Sequence, residues 1–276
     1  MRAMAEVFRR IPWKKAWKRA SLFIFLIVML SCSADIDSMV LFQADPGIQN
    51  IPPNVELEQI VGRAPPAQFS RLQYENHLLD KITGKTSLPY TSSVNLKAQD
   101  RQIAVTKTEY FISQPDGSFS KQVTDVDVGV PGIISFVYLT TKQSPPRQIQ
   151  FRKVARRLEE VTGRLFPLDN GSLLSFNIVF AYQVTRGSKT KPAQDLVWSY
   201  RFQKIGHYEG YTLPDRTVSG KIYIIARRVI DPEGGIDNTL IHFAESIGAA
   251  IKTVRQGEEF IEETRLVSME TSLTDP

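Results

Sequence analysis

Along the second half of the chain, large apolar residues recur at every other position. Leu174, Phe176, Ile178, Phe180, Tyr182 and Val184 alternate with mostly small or polar neighbours, a period of two that marks strands with one buried face. Leu196, Trp198, Tyr200 and Phe202 repeat the pattern after the turn at Arg186-Gly187-Ser188. Four more strand segments are predicted over Val218–Val229, Asn238–Phe243, Ala249–Arg255 and Glu259–Val267, with turns at Asp231-Pro232-Glu233-Gly234-Gly235 and Gly257. Upstream, Gln102–Ser113 and Ser118–Val126 flank Gln114-Pro115-Asp116-Gly117, with Pro and Gly where a hairpin turn uses them. Ile133–Thr140 is apolar, β-branched and aromatic, another strand.

Two segments carry helical spacing instead. Phe69–Lys81 puts Leu72, Leu78 and Leu79 on one stripe, with Gly84 beyond its end. Gln148–Val161 places Phe151, Val154, Leu158 and Val161 on one helical face between Pro145-Pro146 and Gly163. Arg152, Lys153, Arg156 and Arg157 fall off that stripe, as a solvated face with Arg156 paired to Glu160 or as a patch for lipid headgroups or a partner. The fold class predicted is mainly β (α+β): a curved antiparallel meander sheet or half-barrel with one or two packed helices. Phe176, Phe180, Tyr182, Trp198, Tyr200 and Phe202 share one face and are the candidate ligand-facing aromatics; they either fill a core or line a groove. Met269–Pro276 reads as a frayed tail.

The N-terminus is patterned differently. Residues 1–19 are basic, and Ala20–Ser31 is an uncharged apolar run that stops at Cys32. A bilayer core needs about 20 apolar residues, so this run is too short to span one and fits the apolar region of a secretory signal. Val28-Met29-Leu30-Ser31-Cys32 resembles the lipobox of bacterial lipoproteins. That resemblance implies cleavage between Ser31 and Cys32 and diacylglycerol thioether and acyl (palmitate-type) modification of Cys32. Acyl chains anchor a protein by about 0.8 kcal/mol per buried CH₂. Ser33 rather than Asp follows the cysteine; by analogy with enterobacterial sorting this favours the outer membrane, periplasm-facing, over the inner one. Cys32 is the only cysteine, which speaks against a disulfide role. The expected organisation is a signal peptide over 1–31, a lipidated Pro-containing tether over 32–67, and a single β-rich periplasmic domain over 68–276 with a candidate sub-boundary near 145.

Charge changes the picture once it is located. The 276 residues carry a net +5 and a pI near 9.2, which would raise a nucleic-acid partner. Seven of the 34 bases and one of the 29 acids precede Cys32, so 27 bases and 28 acids remain in the mature part. No nucleic-acid partner is expected. Within the mature part, Arg147–Arg228 holds 15 bases against 6 acids, while Asp231 onward holds 10 acids against 3 bases. The two stretches either pair across adjacent strands or form separate surfaces that steer a partner.

The search for chemistry finds little. His77, His207 and His242 are far apart and lack zinc-ligand spacing; no metal and no cofactor is expected. No G-x-S-x-G elbow occurs. Gly187-Ser188-Lys189-Thr190 lacks the upstream glycine spacing of a phosphate loop. Asp231, Glu233 and Asp237 read as a solvated turn before a Ca²⁺ site. Glu258, Glu259, Glu262, Glu263 and Glu270 would have to flank a cleft to act as a glycosidase pair.

From Phe166 onward a second resemblance emerges. Phe166-Pro167-Leu168-Asp169-Asn170-Gly171, Trp198-Ser199-Tyr200, Val218-Ser219-Gly220-Lys221 and Phe243-Ala244-Glu245-Ser246-Ile247-Gly248-Ala249-Ala250-Ile251-Lys252 are similar to a sheet domain of uncharacterised envelope lipoproteins and periplasmic proteins. The chain departs from that pattern at Phe243-Ala244-Glu245, where Tyr-x-Pro is usual. The general plan also resembles the LolA/LolB-like half-barrels, which would imply a concave apolar face able to hold an acyl chain. The function expected is a non-catalytic cell-envelope lipoprotein, not an enzyme, whose β-sheet domain is a binding or assembly module. A carrier of lipid or acyl ligand is the alternative and an envelope-polymer hydrolase the third reading. The partners expected are the membrane, through the anchor, and an envelope protein or lipid ligand.

Overall fold

The structure is a computed structural model that describes residues 61–271, except 88, 101–102, 114–118, 145–146 and 170. Ser31, Cys32, the signal segment and most of the predicted tether lie outside the described residues. Thirteen strands follow one another: β1 Arg71–Asp80, β2 Tyr90–Asp100, β3 Ile103–Ser113, β4 Phe119–Val130, β5 Ile134–Ser144, β6 Arg147–Arg164, β7 Leu173–Arg186, β8 Lys189–Thr190, β9 Gln194–Thr212, β10 Thr217–Ile230, β11 Ile236–Ala244, β12 Ala249–Gln256 and β13 Phe260–Glu270. Strands adjacent in the sheet run antiparallel, and β8 is a two-residue strand that folds back antiparallel on the end of β7. β13 pairs with β1 and β6 with β7, so the ribbon closes into an up-and-down barrel of twelve strands. Closure removes the free edges that an open sheet would expose.

Three expectations are corrected by this architecture. The sheet is a closed barrel and not a half-barrel. Phe69–Lys81 is not a helix but contains β1, and Gln148–Val161 lies within β6. Among the described residues helix is confined to Val61. The helical spacing in β6 arises from two irregularities, between Ala155 and Arg157 and between Glu159 and Thr162. Each bulge puts extra residues on one strand and resets which parity faces inward. In β1 the inward residues are Leu72, Tyr74 and Asn76; a buried Asn breaks the apolar alternation that would announce a strand. The tail prediction also shortens, because Met269 and Glu270 belong to β13 and Glu270 pairs with Arg71.

One end of the barrel is capped. Val61, Ala64, Ala67 and Phe69, from the end of the predicted tether and just beyond it, are buried. Phe166 N donates to Val61 O at 2.8 Å and Gln68 N to Ile247 O at 2.8 Å, so the segment bridges the β6–β7 and β11–β12 connections. Gly248 makes that approach feasible: its φ is +69, and a Cβ there would lie 2.1 Å from Pro66 O. At the same end the β4–β5 turn folds into the interior. Ala250 N donates to Pro131 O at 3.3 Å, and a Cβ on Gly132 would stand 2.4 Å from Ala250 Cβ. The tip of the β9–β10 hairpin reaches across to β13, where Tyr211 Oη donates to Leu266 O at 3.3 Å.

The opposite end, formed by the β1–β2, β7–β9, β10–β11 and β12–β13 connections, is the mouth. Large aromatics occupy the interior, whereas ion pairs such as Lys252–Glu263 at 2.8 Å and Arg265–Glu263 at 2.7 Å sit on the outer face. No helix among the described residues is long and apolar enough to cross a membrane.

Candidate functional site

Register decides which side chains meet inside, because directly opposed residues share a face. Phe176 faces Tyr200, Ile178 faces Trp198 and Leu174 faces Phe202. The six candidate aromatics therefore do point into the barrel together. They pack on one another: Phe176 and Tyr200 stack at 5.5 Å and 16°, Tyr200 and Phe202 at 6.1 Å and 8°, and Trp198 meets Phe180 edge-on at 5.3 Å and Tyr182 at 6.2 Å. Phe202 is 0% and Phe176 2% exposed. The row is packed over most of its length; Trp198 and Tyr200 border a cavity at the mouth, and Phe176 and Tyr200 border another of about 350 Å³.

Elsewhere in the interior polar residues are set among the apolar ones. Thr106 faces Asp127, Thr108 faces Asp125, Asp125 faces Thr140 and Thr253 faces Thr264. Asn76 is fully employed there: its Nδ2 donates to Tyr90 O at 3.1 Å and Ser92 Oγ at 3.0 Å, and Thr264 Oγ1 donates to its Oδ1 at 2.8 Å. A cavity of about 380 Å³ runs between these side chains and the infolded β4–β5 turn. On its wall Ser135 Oγ donates to Asp127 Oδ1 at 2.6 Å. Burial pushes the Asp127 carboxyl up to about 7, with Asp125 adding to the rise and the Ser135 bond opposing it.

Arg227 joins this cavity to a second, of about 580 Å³, that opens at the mouth. Lys153, Trp198, Tyr200, Asp237, Arg255 and Phe260 also border it. A polar chain crosses the barrel between the two. Tyr90 Oη donates to Glu262 Oε1 at 2.6 Å, Arg255 pairs with Glu262 at 3.8 Å and with Asp237, and Thr239 Oγ1 donates to Asp237 Oδ1 at 3.1 Å. Arg227 Nη2 then donates to Thr239 Oγ1 and Nη1 to Ile133 O, each at 3.1 Å. The Lys153 ammonium lies 4.3 Å from the centre of the Trp198 ring, a cation–π contact. Burial lowers the basicity of Arg227 and of Lys153, and Arg255 adds to the effect at both. Burial pushes the Tyr200 hydroxyl up to about 12, and raises those of Tyr90, Tyr110 and Tyr138 further, with Glu262 or Asp125 contributing. These phenols are hydrogen-bond donors and not bases.

Other residues singled out in the sequence lie apart from the cavities or serve local structure. His77, His207 and His242 border neither cavity; His242 meets Tyr208 Oη at 3.1 Å. Asp231 Oδ1 accepts from Glu233 N at 2.9 Å and Gly235 N at 2.7 Å, closing its own turn. Gly187 and Ser188 form the turn into β8. The glutamate run divides: Glu262 points inward, Glu263 outward, and Glu258 and Glu259 sit on the rim. Acids of the C-terminal stretch pair with cations of the same stretch, as in Arg255–Asp237 and Lys252–Glu263, and Glu270 pairs with Arg71. Arg156 pairs with Asp195 at 3.4 Å.

Sequence reasoning leaves Arg227 unassigned and reads Lys153, with Arg152, Arg156 and Arg157, as a solvated helical face or a patch for headgroups or a partner, yet a signal for the interior exists. In β10 the inward row is Tyr223, Ile225, Arg227 and Val229, and in β6 Lys153 falls between Phe151 and Ala155. A cation in phase with an apolar alternation is a cation inside. Comparison of the chain with protein-family models, with curated proteins and with solved structures finds no match.

Proposed function

We propose that the chain is a non-catalytic envelope lipoprotein, held at the periplasmic face of the outer membrane by lipid on Cys32, whose barrel is a ligand-binding module. The observation that carries the reading is the asymmetry of the barrel's two ends. One is stoppered by residues 61–69 and the infolded β4–β5 turn, while the other opens onto a cavity of about 580 Å³, a size typical of small-ligand sites. The cavity combines a few charged groups with aromatic walls; of its carboxylates Asp237 is taken up by Arg255 and Asp231 closes its own turn, while Glu258 and Glu259 stand on the rim, which favours binding over a carboxylate-pair hydrolase. The aromatic row is closed on itself and offers no continuous apolar groove, which argues for a binding module ahead of an acyl carrier. The lipobox-like end at Cys32 supports the address.

Two measurements test this reading. Cys32→Ala is expected to move the protein from the membrane to the soluble periplasmic fraction with loss of the lipid mass. Retention on the membrane in unlipidated form would overturn the anchor. Native mass spectrometry of the full-length protein is expected to find a small non-covalent ligand and no acyl chain inside the barrel; a co-purified fatty acid would restore the carrier.

A further inference from the structure

Three cations border the mouth cavity, and they are not equivalent. Arg255 is paired with Asp237 and Glu262. Arg227 bonds only uncharged oxygens, those of Ile133 and Thr239, and its buried Nε has no acceptor. Lys153 is held over Trp198 and makes no ion pair among the described residues. Desolvating a cation is strongly unfavourable unless an anion compensates it. Two such cations on one cavity are complementary to a negative group.

The rest of the cavity limits which anion fits. Trp198, Tyr200 and Phe260 give it flat walls, suited to a ring or an apolar body. Its rim carries Asp231, Glu258 and Glu259, which repel a polyanion on approach. We infer that the mouth cavity binds a small organic anion, its single carboxylate or phosphate held between Lys153 and Arg227 and its flat or apolar body lying on Trp198 and Tyr200. The inference rests on the binding-module reading and narrows its ligand.

Trp198 supplies the readout, because an anion that draws the Lys153 ammonium off the ring changes the indole's surroundings. With residues 1–31 removed, as the lipid-anchored reading requires, Trp13 and Trp17 are gone and Trp198 is the single indole left of the three. The detergent-solubilised protein is titrated with benzoate, phenyl phosphate, inorganic phosphate and neutral benzamide, following Trp198 emission and the thermal midpoint. Benzoate or phenyl phosphate is expected to give a saturable emission change and a concentration-dependent rise in midpoint. Benzamide and inorganic phosphate are expected to bind at least about tenfold more weakly, a difference of roughly one charge contact or one apolar face. Lys153→Met and Arg227→Gln are each expected to weaken the organic anion by about tenfold or more.

Equal binding of benzamide and benzoate, equal binding of inorganic and phenyl phosphate, or undiminished binding by Lys153→Met overturns the inference. If Arg227→Gln fails to fold, Lys153→Met decides, since Lys153 lies at the mouth and its backbone pairing with Tyr138 and Tyr182 is unaffected. A silent titration with a neutral ligand found by native mass spectrometry sinks the anion and leaves the binding module standing. A silent titration with no ligand of any kind sinks both.

Discussion

The two halves of the barrel interior are built on different principles. On β7 and β9, and on β6 apart from Lys153, the inward side chains are largely aromatic and aliphatic and close-packed. On β1 to β5 and β11 to β13 buried apolar side chains such as Leu72, Phe136, Ile241 and Phe243 are interleaved with hydroxyls, amides and carboxylates, around a cavity of about 380 Å³. The first half gains stability from burying apolar area, roughly 25 cal/mol per Å². The second also buries apolar area, and in addition its polar groups must be matched to one another to avoid a desolvation penalty. Close aromatic packing and ligand chemistry are thus concentrated on different arcs of one sheet, and Arg227 stands where the arcs meet.

Truncation should separate the arcs most strongly. Phe202→Ala, which removes a fully buried ring stacked on Tyr200, is expected to cost about 3–5 kcal/mol, measured by denaturant unfolding. Thr108→Ala on the polar wall is expected to cost under about 1 kcal/mol. Similar losses at both sites would erase the distinction.

The pH response should come from the polar arc. Asp127 has a folded-state pKa of about 7 against the ordinary 3.8, so the folded state holds a proton that the unfolded state gives up. Its contribution to stability is full below pH 4 and is lost as pH rises through 7, by a few kcal/mol at about 1.4 kcal/mol per unit. Glu263, held down to about 2 by its bonds with Arg265 and Lys252, acts in the opposite sense and is lost only in acid. The stability of Asp127→Asn, subtracted from that of the parent across pH 4 to 8, isolates the first effect; a flat difference would place Asp127 in water. Next in size, Asn76→Ala is expected to cost about 1–3 kcal/mol, because it strands the Thr264 and Ser92 hydroxyls in the barrel.

The same division explains what could be read from the sequence. Pattern reading equates buried with apolar. It therefore succeeds on β7 and β9, where Phe176, Ile178, Trp198 and Phe202 alternate cleanly, and it finds the six aromatics that face inward. It fails on β2, whose inward Ser92 is polar, and on β1, where Asn76 interrupts the run. On β6 it fails because two bulges shift the parity and Lys153 stands among the inward residues. The cation pair was hidden for the same reason. Closure was not legible either, since it depends on β13 meeting β1 and β6 meeting β7, and each β1–β13 pair joins residues at opposite ends of the domain.

The finest contrast lies between two neighbours in β13 that point opposite ways. Inside, Glu262 accepts the Tyr90 hydroxyl at 2.6 Å and shares the part-exposed Arg255 with Asp237; losing its charge leaves two partners under-compensated, one of them the half-buried Tyr90 hydroxyl. Outside, Glu263 bonds Lys252 and Arg265 in contact with solvent, where each freed cation is rehydrated at once. Glu262→Gln is accordingly expected to cost about 1–3 kcal/mol with little dependence on salt. Glu263→Gln is expected to cost under about 1 kcal/mol, and less again in 1 M salt. Unfolding both variants at low and high ionic strength checks the pair. An equal, salt-sensitive loss at both positions would mean that Glu262 is wet, and that the polar arc opens to solvent far more widely than its hydrogen bonds require.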